Sequence, residues 1–195
     1  MNRFVALCLA LLLAACGGQA GQPAGDPPLA GARIGGPFTL TDQNGKSVTD
    51  RSLAGKYRIV YFGYTYCPDV CPVDMQIIAA AMKALDSSAP ATAAKIVPLF
   101  ISVDPDRDTA AVLKQFAAAF DPRVVALRGT PEQTAAVAKA YGIYFAKQKP
   151  GAGGGYMVDH SRQVYLMDPD GKPLALLPAD KGTDAMVAEL KRWVR

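Results

Sequence analysis

Cys67 and Cys71 stand four positions apart in Cys67-Pro68-Asp69-Val70-Cys71-Pro72, and the chain's one histidine, His160, lies far downstream. Thiolates and imidazole bind soft metal ions, and a thiol pair also carries disulfide exchange. On a helix, positions i and i+4 share one face, one turn apart. Here the motif joins an apolar run to a helical pattern, which puts Cys67 in the loop and Cys71 in the helix's first turn. Their sulfurs then converge near the positive end of the helix dipole, where thiolate is favoured. Pro68 and Pro72 stiffen the turn at little cost, because the earliest helical positions need no internal N–H partner.

Two soft thiolates favour Cu(I), with zinc and iron–sulfur clusters as alternatives. A cluster takes four cysteines and a structural zinc site takes four protein ligands. With Cys67, Cys71 and His160 as the supply, one three-coordinate copper ion is the better match. His160 lies between Asp159 and Ser161, just before an apolar run from Gln163 to Met167. Asp159 is placed either to orient the imidazole and balance its charge or to serve as a turn carboxylate. Met157 is near enough in sequence to add a thioether, whereas Met75 and Met82 have the helical spacing of core residues. Tyr61, Phe62, Tyr64 and Tyr66 are expected to pack the sheet and rim the site.

The elements that must position these groups follow from hydrophobic patterning. Phe38–Thr41 and Lys46–Thr49 form a hairpin with Asn44-Gly45 in its turn. Arg58–Tyr64 and Lys95–Val103 are dense in β-branched and aromatic residues and make buried strands. Pro98 within the second points to an edge or a bulge. Helices are expected over Met75–Leu85, over Asp108–Phe120 with Asp108 or Thr109 at its start, and from Thr130-Pro131, with Thr130 as cap. A short strand covers Val124–Leu127. A Gly- and Lys-rich loop runs from Lys147 to Gly155, and Asp168–Gly171 turns the Gln163–Met167 strand into Pro173–Leu177. The last helix covers Thr183–Val194, capped by Thr183. The run Asp104-Pro105-Asp106-Arg107-Asp108 is a turn and helix cap, with partner docking as the other reading.

Strands alternating with helices predict an α/β fold: a central sheet covered by helices on both faces, preceded by the β-hairpin. A cysteine motif where the first buried strand meets its helix is the arrangement of thioredoxin-like folds. Where thioredoxins place a proline opposite the motif, this chain has Asp159-His160-Ser161.

Half of the 195 residues are apolar and 19% are charged, an ordinary globular composition and enough for one domain. Such a domain, roughly 150 residues, buries about 70% of its unfolded surface and needs no disulfides. The net charge is +4 with no run of Lys or Arg, so nucleic-acid binding has no electrostatic footprint. Phe4–Leu13 is an apolar stretch behind Arg3, shorter than the about 20 residues a membrane span needs. It ends in Leu13-Ala14-Ala15-Cys16-Gly17, which resembles a bacterial lipobox. This predicts a signal peptide over residues 1–15 that includes Cys8, lipidation at Cys16, a flexible Gly/Pro/Ala tether over 16–36, and a domain over 37–195.

Cys67-Pro68-Asp69-Val70-Cys71-Pro72, Ser102-Val103-Asp104-Pro105-Asp106-Arg107-Asp108 and Val158-Asp159-His160-Ser161 together resemble the Sco/SenC family, over about Phe38 to Trp193. The resemblance implies a thioredoxin-like copper protein that helps assemble the binuclear copper centre of cytochrome c oxidase. It matches Cys67, Cys71 and His160 to that family's two cysteines and histidine. The partner implied is the copper-centre subunit of the oxidase or another copper protein, and the chain is expected to act as a monomer on the periplasmic side of the cell envelope. Many relatives use a transmembrane helix where this chain has a lipobox. Gly18 after the lipid cysteine resembles an outer-membrane address, whereas oxidase assembly favours the inner membrane; both stay open. So do two activities for the cysteine pair, copper delivery and reduction of a partner's thiols. Peroxide reduction explains neither the spacing nor the histidine.

Overall fold

The computed structural model describes residues 25–151 and 154–195. Its core is a seven-stranded sheet in the order β2-β1-β5-β4-β3-β8-β9, with a separate β6–β7 ribbon. The strands are β1 Thr39–Asp42, β2 Ser47–Thr49, β3 Tyr57–Gly63, β4 Ile96–Ser102, β5 Val125–Arg128, β6 Phe145–Lys147, β7 Val158–His160, β8 Val164–Met167 and β9 Pro173–Leu176. The helices are α1 Val70–Ser88, the single turn α2 Pro90–Ala93, α3 Ala110–Ala118, α4 Pro131–Ala140 and α5 Thr183–Trp193.

β3, β4 and β5 run parallel, and β8 joins β3 antiparallel on the other side. Successive residues of a strand point to opposite faces, and all seven residues of β3 are buried. Both faces of the sheet centre are therefore covered, as the sequence pattern predicts. α1 packs along α5, and α3 packs against β5.

Pro98 departs from expectation, because β4 lies in the middle of the sheet. Pairing with β5 begins only at Leu99↔Val125, so the proline precedes that ladder and costs it no bond. The N-terminal hairpin is present with the register Leu40↔Val48. Its turn is held less by Asn44 than by Asp42, whose Oδ1 accepts from the backbone N–H of Asn44 and of Lys46 at 2.8 Å each. Thr130 caps α4 in a reciprocal capping box with Gln133. Thr183 does not cap α5: Gly182, at φ +83°, holds that position and Thr183 is the first helical residue.

Two further differences concern segments expected to be loops. β6 and β7 pair as Phe145↔His160 and Lys147↔Val158, so a ribbon stands where the Gly- and Lys-rich loop was expected to begin. Strands of three residues are too short to show periodicity. Leu29 to Gly35, expected to belong to the tether, pack on the domain instead. Leu29 donates its N–H to Leu174 O at 3.0 Å, Gly35 donates to Ala140 O at 2.9 Å, and Leu29 and Ile34 pack on the core. Gly35 has φ +92°, and a Cβ there would lie 2.8 Å from Met167 Cε, so this stretch fits closely against β8. The signal peptide, Cys8 and Cys16 lie outside the described residues.

Candidate metal centre

The site forms at the C-terminal end of β3, where parallel strands present their loops. After Gly63 the chain leaves the sheet, and Cys67 N–H bonds back to Tyr64 O at 3.2 Å. α1 begins at Val70, so Cys71 occupies its first turn and Cys67 the preceding loop, as the spacing predicts. Pro72 is the third helical residue, where no N–H is missed. β7, held by β6, ends in His160 and brings it across to the helix start. One donor atom each from Cys67, Cys71 and His160 lies within 4.8 Å of the others. Cys71 Sγ is 3.2 Å from His160 Nε2.

The hydrogen bond on the far side of the ring defines what faces the sulfur. His160 Nδ1 lies 2.9 Å from Ser161 O. A carbonyl only accepts, so Nδ1 carries the hydrogen, which leaves Nε2 as the ring nitrogen available to face Cys71. The metal-free thiol can then donate to Nε2, and a metal ion replacing that proton takes both atoms as ligands. Asp159 does not orient the ring. It is exposed and its Oδ1 accepts from Gln148 Nε2 at 2.8 Å. Alternation along β7 sends neighbouring side chains to opposite faces, so the orienting acceptor is the Ser161 carbonyl instead.

Both cysteines are free; Cys67 is half-buried and Cys71 fully buried. Burial, against an opposing backbone hydrogen bond from Tyr64 and with a further contribution from nearby Cys67, pushes the Cys71 thiol up to about 12. The position at the helix N-terminus does not make Cys71 a thiolate, because loss of hydration outweighs the dipole. A metal ion, not the fold, has to supply the charge that ionises it.

Aromatic groups wall the site. Tyr64 and Tyr61 meet the His160 ring edge-on, with centroids 5.9 and 6.3 Å away. Tyr64 Oη donates to Met157 Sδ at 3.7 Å, so this exposed thioether stands beside the wall, while Met75 and Met82 are core residues. Tyr66 is exposed. Gly63 forms the floor: a Cβ there would lie 2.9 Å from Cys71 Sγ and 3.0 Å from Phe100 Cε2.

Three supports were not visible in sequence. Asp74, fully buried on α1, takes two bonds from Arg162, at 2.8 Å from Nε and 2.6 Å from Nη2. Asp108, fully buried, accepts from Ser102 Oγ at 2.6 Å and from Thr65 Oγ1 at 2.6 Å, which ties the cysteine loop to β4. Burial raises the Asp108 carboxyl above the usual carboxylate range, and these donors oppose that rise. Asp104, also buried, pairs with Arg107 and accepts from Tyr156 Oη at 2.8 Å. The Arg107 guanidinium lies over the Tyr156 ring at 3.7 Å and over Tyr66 at 5.0 Å. The acidic run after β4, expected as a turn and helix cap, is an internal bracket for the site's rim, and Thr109 rather than Asp108 caps α3. In sequence it stood out as a run of carboxylates and as one of the motifs that resemble the Sco/SenC family, not as a set of buried contacts.

Comparison with known proteins agrees with this geometry. The SCO1/SenC family profile matches residues 26–195. Protein SenC of Rhodobacter capsulatus is 49% identical over 140 residues, which is 72% of this chain and 61% of that protein. The structure of Bradyrhizobium japonicum ScoI with copper bound is 44% identical, with a TM-score of 0.74 over 82% of this chain and 99% of that one. BsSco, whose structure is described with a disulfide switch in a member of the Sco family of cytochrome c oxidase assembly proteins, is 26% identical. Its TM-score is 0.67, over 87% of this chain and 96% of that one. The alignments span about half to three fifths of the length of the curated relatives. With its thioredoxin-like sheet and its cysteine–histidine cluster, the chain belongs to the SCO1/SenC family.

Proposed function

We propose that this chain is an extracytoplasmic copper metallochaperone that assists assembly of the binuclear copper centre of cytochrome c oxidase, holding one copper ion on Cys67, Cys71 and His160. The observation that carries the reading is the convergence of those three donors within 4.8 Å, with His160 Nε2 turned to the sulfur of Cys71. The copper is cargo. Two sulfurs and one imidazole nitrogen satisfy Cu(I) without closing its coordination shell, so a partner's cysteine can enter and displace one ligand at a time. Cys67 is half-buried in the loop and Cys71 is fully buried, so of the two sulfurs Cys67 is the one such a partner reaches. Similarity to copper-bound ScoI and to an oxidase assembly protein supports both metal and recipient.

A second reading is favoured by the same asymmetry. An accessible Cys67 backed by a buried Cys71 is the arrangement of an attacking and a resolving thiol, and the disulfide switch described for BsSco points the same way. In this reading the pair reduces a partner's cysteines before they take copper.

The anchor belongs to the proposal too. Residues 1–15 act as a signal peptide, Cys16 is lipidated, and a short tether leads to the domain on the periplasmic side of a membrane. The Leu13–Gly17 motif supports this, and among the described residues no helix is long and apolar enough to cross a membrane.

Anaerobic titration of the purified chain with Cu(I) and Cu(II), followed in the sulfur-to-copper charge-transfer region, tests the reading. One equivalent should bind, and His160→Ala should weaken it while leaving dithiol exchange intact. No binding at one equivalent overturns the chaperone and leaves the reductase.

A further inference from the structure

Arg107 ends in a guanidinium whose N–H groups are not all spent on oxygen. Nε donates to the buried Asp104 carboxylate and Nη1 donates to Tyr156 O at 2.9 Å. Nη2 is buried and has no hydrogen-bond partner. What surrounds the group is aromatic. Its Cζ lies 3.7 Å from the ring centroid of Tyr156, 5.0 Å from that of Tyr66 and 5.6 Å from that of Tyr64. All three fall within the roughly 6 Å over which a ring face attracts a cation. Ring faces also accept N–H groups weakly, which accounts for an Nη2 left without an oxygen. Among the described residues no other cation meets more than one ring.

The three rings belong to the segments that carry or wall the copper donors. Tyr66 is the chain neighbour of Cys67, in the loop before α1. Tyr156 lies two residues before β7, which ends in His160. Tyr64 stands edge-on to the His160 ring. Tyr156 is fixed a second time, by its hydroxyl on Asp104 at 2.8 Å. Tyr66 is 54% exposed, so the core does not enclose it, and its ring is steadied by the guanidinium. We propose that Arg107 is a positioning residue for copper retention: by engaging Tyr66 and Tyr156 at once, it latches the loop that bears Cys67 to the arm that bears His160. The proposal rests on the copper reading above. A ligand swap needs Cys67 to move off the ion, and a loop tied through Tyr66 resists that movement.

Substituting Arg107 strands the buried Asp104 carboxylate, and the chain can fail to fold for that reason alone. Tyr66 gives the cleaner test. Tyr66→Phe keeps the ring face, Tyr66→Trp enlarges it, and Tyr66→Leu keeps apolar bulk without a face. Each full chain is loaded anaerobically with one equivalent of Cu(I) and mixed with excess bathocuproine disulfonate, and release is followed by the absorbance of the chelated copper. Tyr66→Leu should release copper about 2- to 30-fold faster than the wild type, the range that a cation–π contact spans. Tyr66→Phe should match the wild type, and Tyr66→Trp should match it or be slower. A second readout needs no metal. Cys67 N–H bonds back to Tyr64 O within the loop, so amide exchange at Cys67 in the metal-free chain should quicken in Tyr66→Leu and not in Tyr66→Phe. Urea midpoints of wild type and variants should coincide, because Tyr66 is exposed. A wild type that takes up no Cu(I) overturns the copper site and this proposal together. A wild type that holds copper, with Tyr66→Leu no faster than Tyr66→Phe in release or in Cys67 exchange, overturns the proposal alone. So does a Tyr66→Leu chain whose faster release comes with a lowered urea midpoint, because the ring would then support the whole fold and not the loop.

Discussion

Asp74 and Arg162 are 88 residues apart in sequence and form a two-bonded ion pair between the first turns of α1 and the segment just past His160. The carboxylate is fully buried, and the guanidinium is 43% exposed. The pair clamps the element that carries Cys71 to the one that carries His160, so it holds the donors in register without being one of them.

Replacing Arg162 by Met should expose how much depends on that clamp. It strands a buried carboxylate, a loss of about 3–5 kcal/mol when both partners are dry. Because Arg162 is partly in water, about 2 kcal/mol is expected here, read from urea denaturation. Copper affinity should fall as well, since the His160 segment loses its tie to α1. Unchanged stability and affinity would mean the pair is a surface ornament.

Ser102→Ala tests the bracket beneath the cysteine loop. Asp108 then keeps only the Thr65 donors, and the variant should lose about 1–3 kcal/mol in chemical denaturation. The Asp108 carboxyl, already raised by burial, should titrate higher still, visible by carboxyl NMR. A variant as stable as the wild type would show that water replaces the serine.

The acid limb of stability should report Asp121. Hydrogen bonds from Arg123 hold its carboxyl below the usual range, against the effect of burial. A depressed folded value means stability that is complete above the unfolded value, about 3.9, and lost as pH falls through the folded one. Asp121→Asn should therefore cost about 1 kcal/mol at neutral pH and progressively less in acid. Denaturation midpoints of wild type and variant that stay parallel down to low pH would remove Asp121 from the acid response.

The candidate donors, which the structure brings together, were legible because their residue types are scarce. One histidine and a cysteine pair across a strand–helix junction leave few other ways to build a metal site. The strands that carry them were legible because β3 and β4 are apolar runs bounded by polar turns. Their supports were not, because each depends on a contact made only by folding. Asp74 reads as an ordinary helix carboxylate until Arg162 arrives from 88 residues away. Asp159 sits next to His160 in sequence, yet strand alternation turns it outward, and its role passes to a backbone carbonyl that sequence cannot single out. The thiolate expected at the helix start required knowing how deeply Cys71 is buried.

Gly63 limits how such a site can be redesigned. With Cys71 Sγ 2.9 Å and Phe100 3.0 Å from where a side chain would begin, the floor accepts no alternative residue. Tyr66, Met157 and the loop that bears Cys67 lie on the solvent-facing side, where a substitution meets the least steric resistance. In an engineering campaign, position 63 is the one to leave untouched, and the rim is where libraries belong.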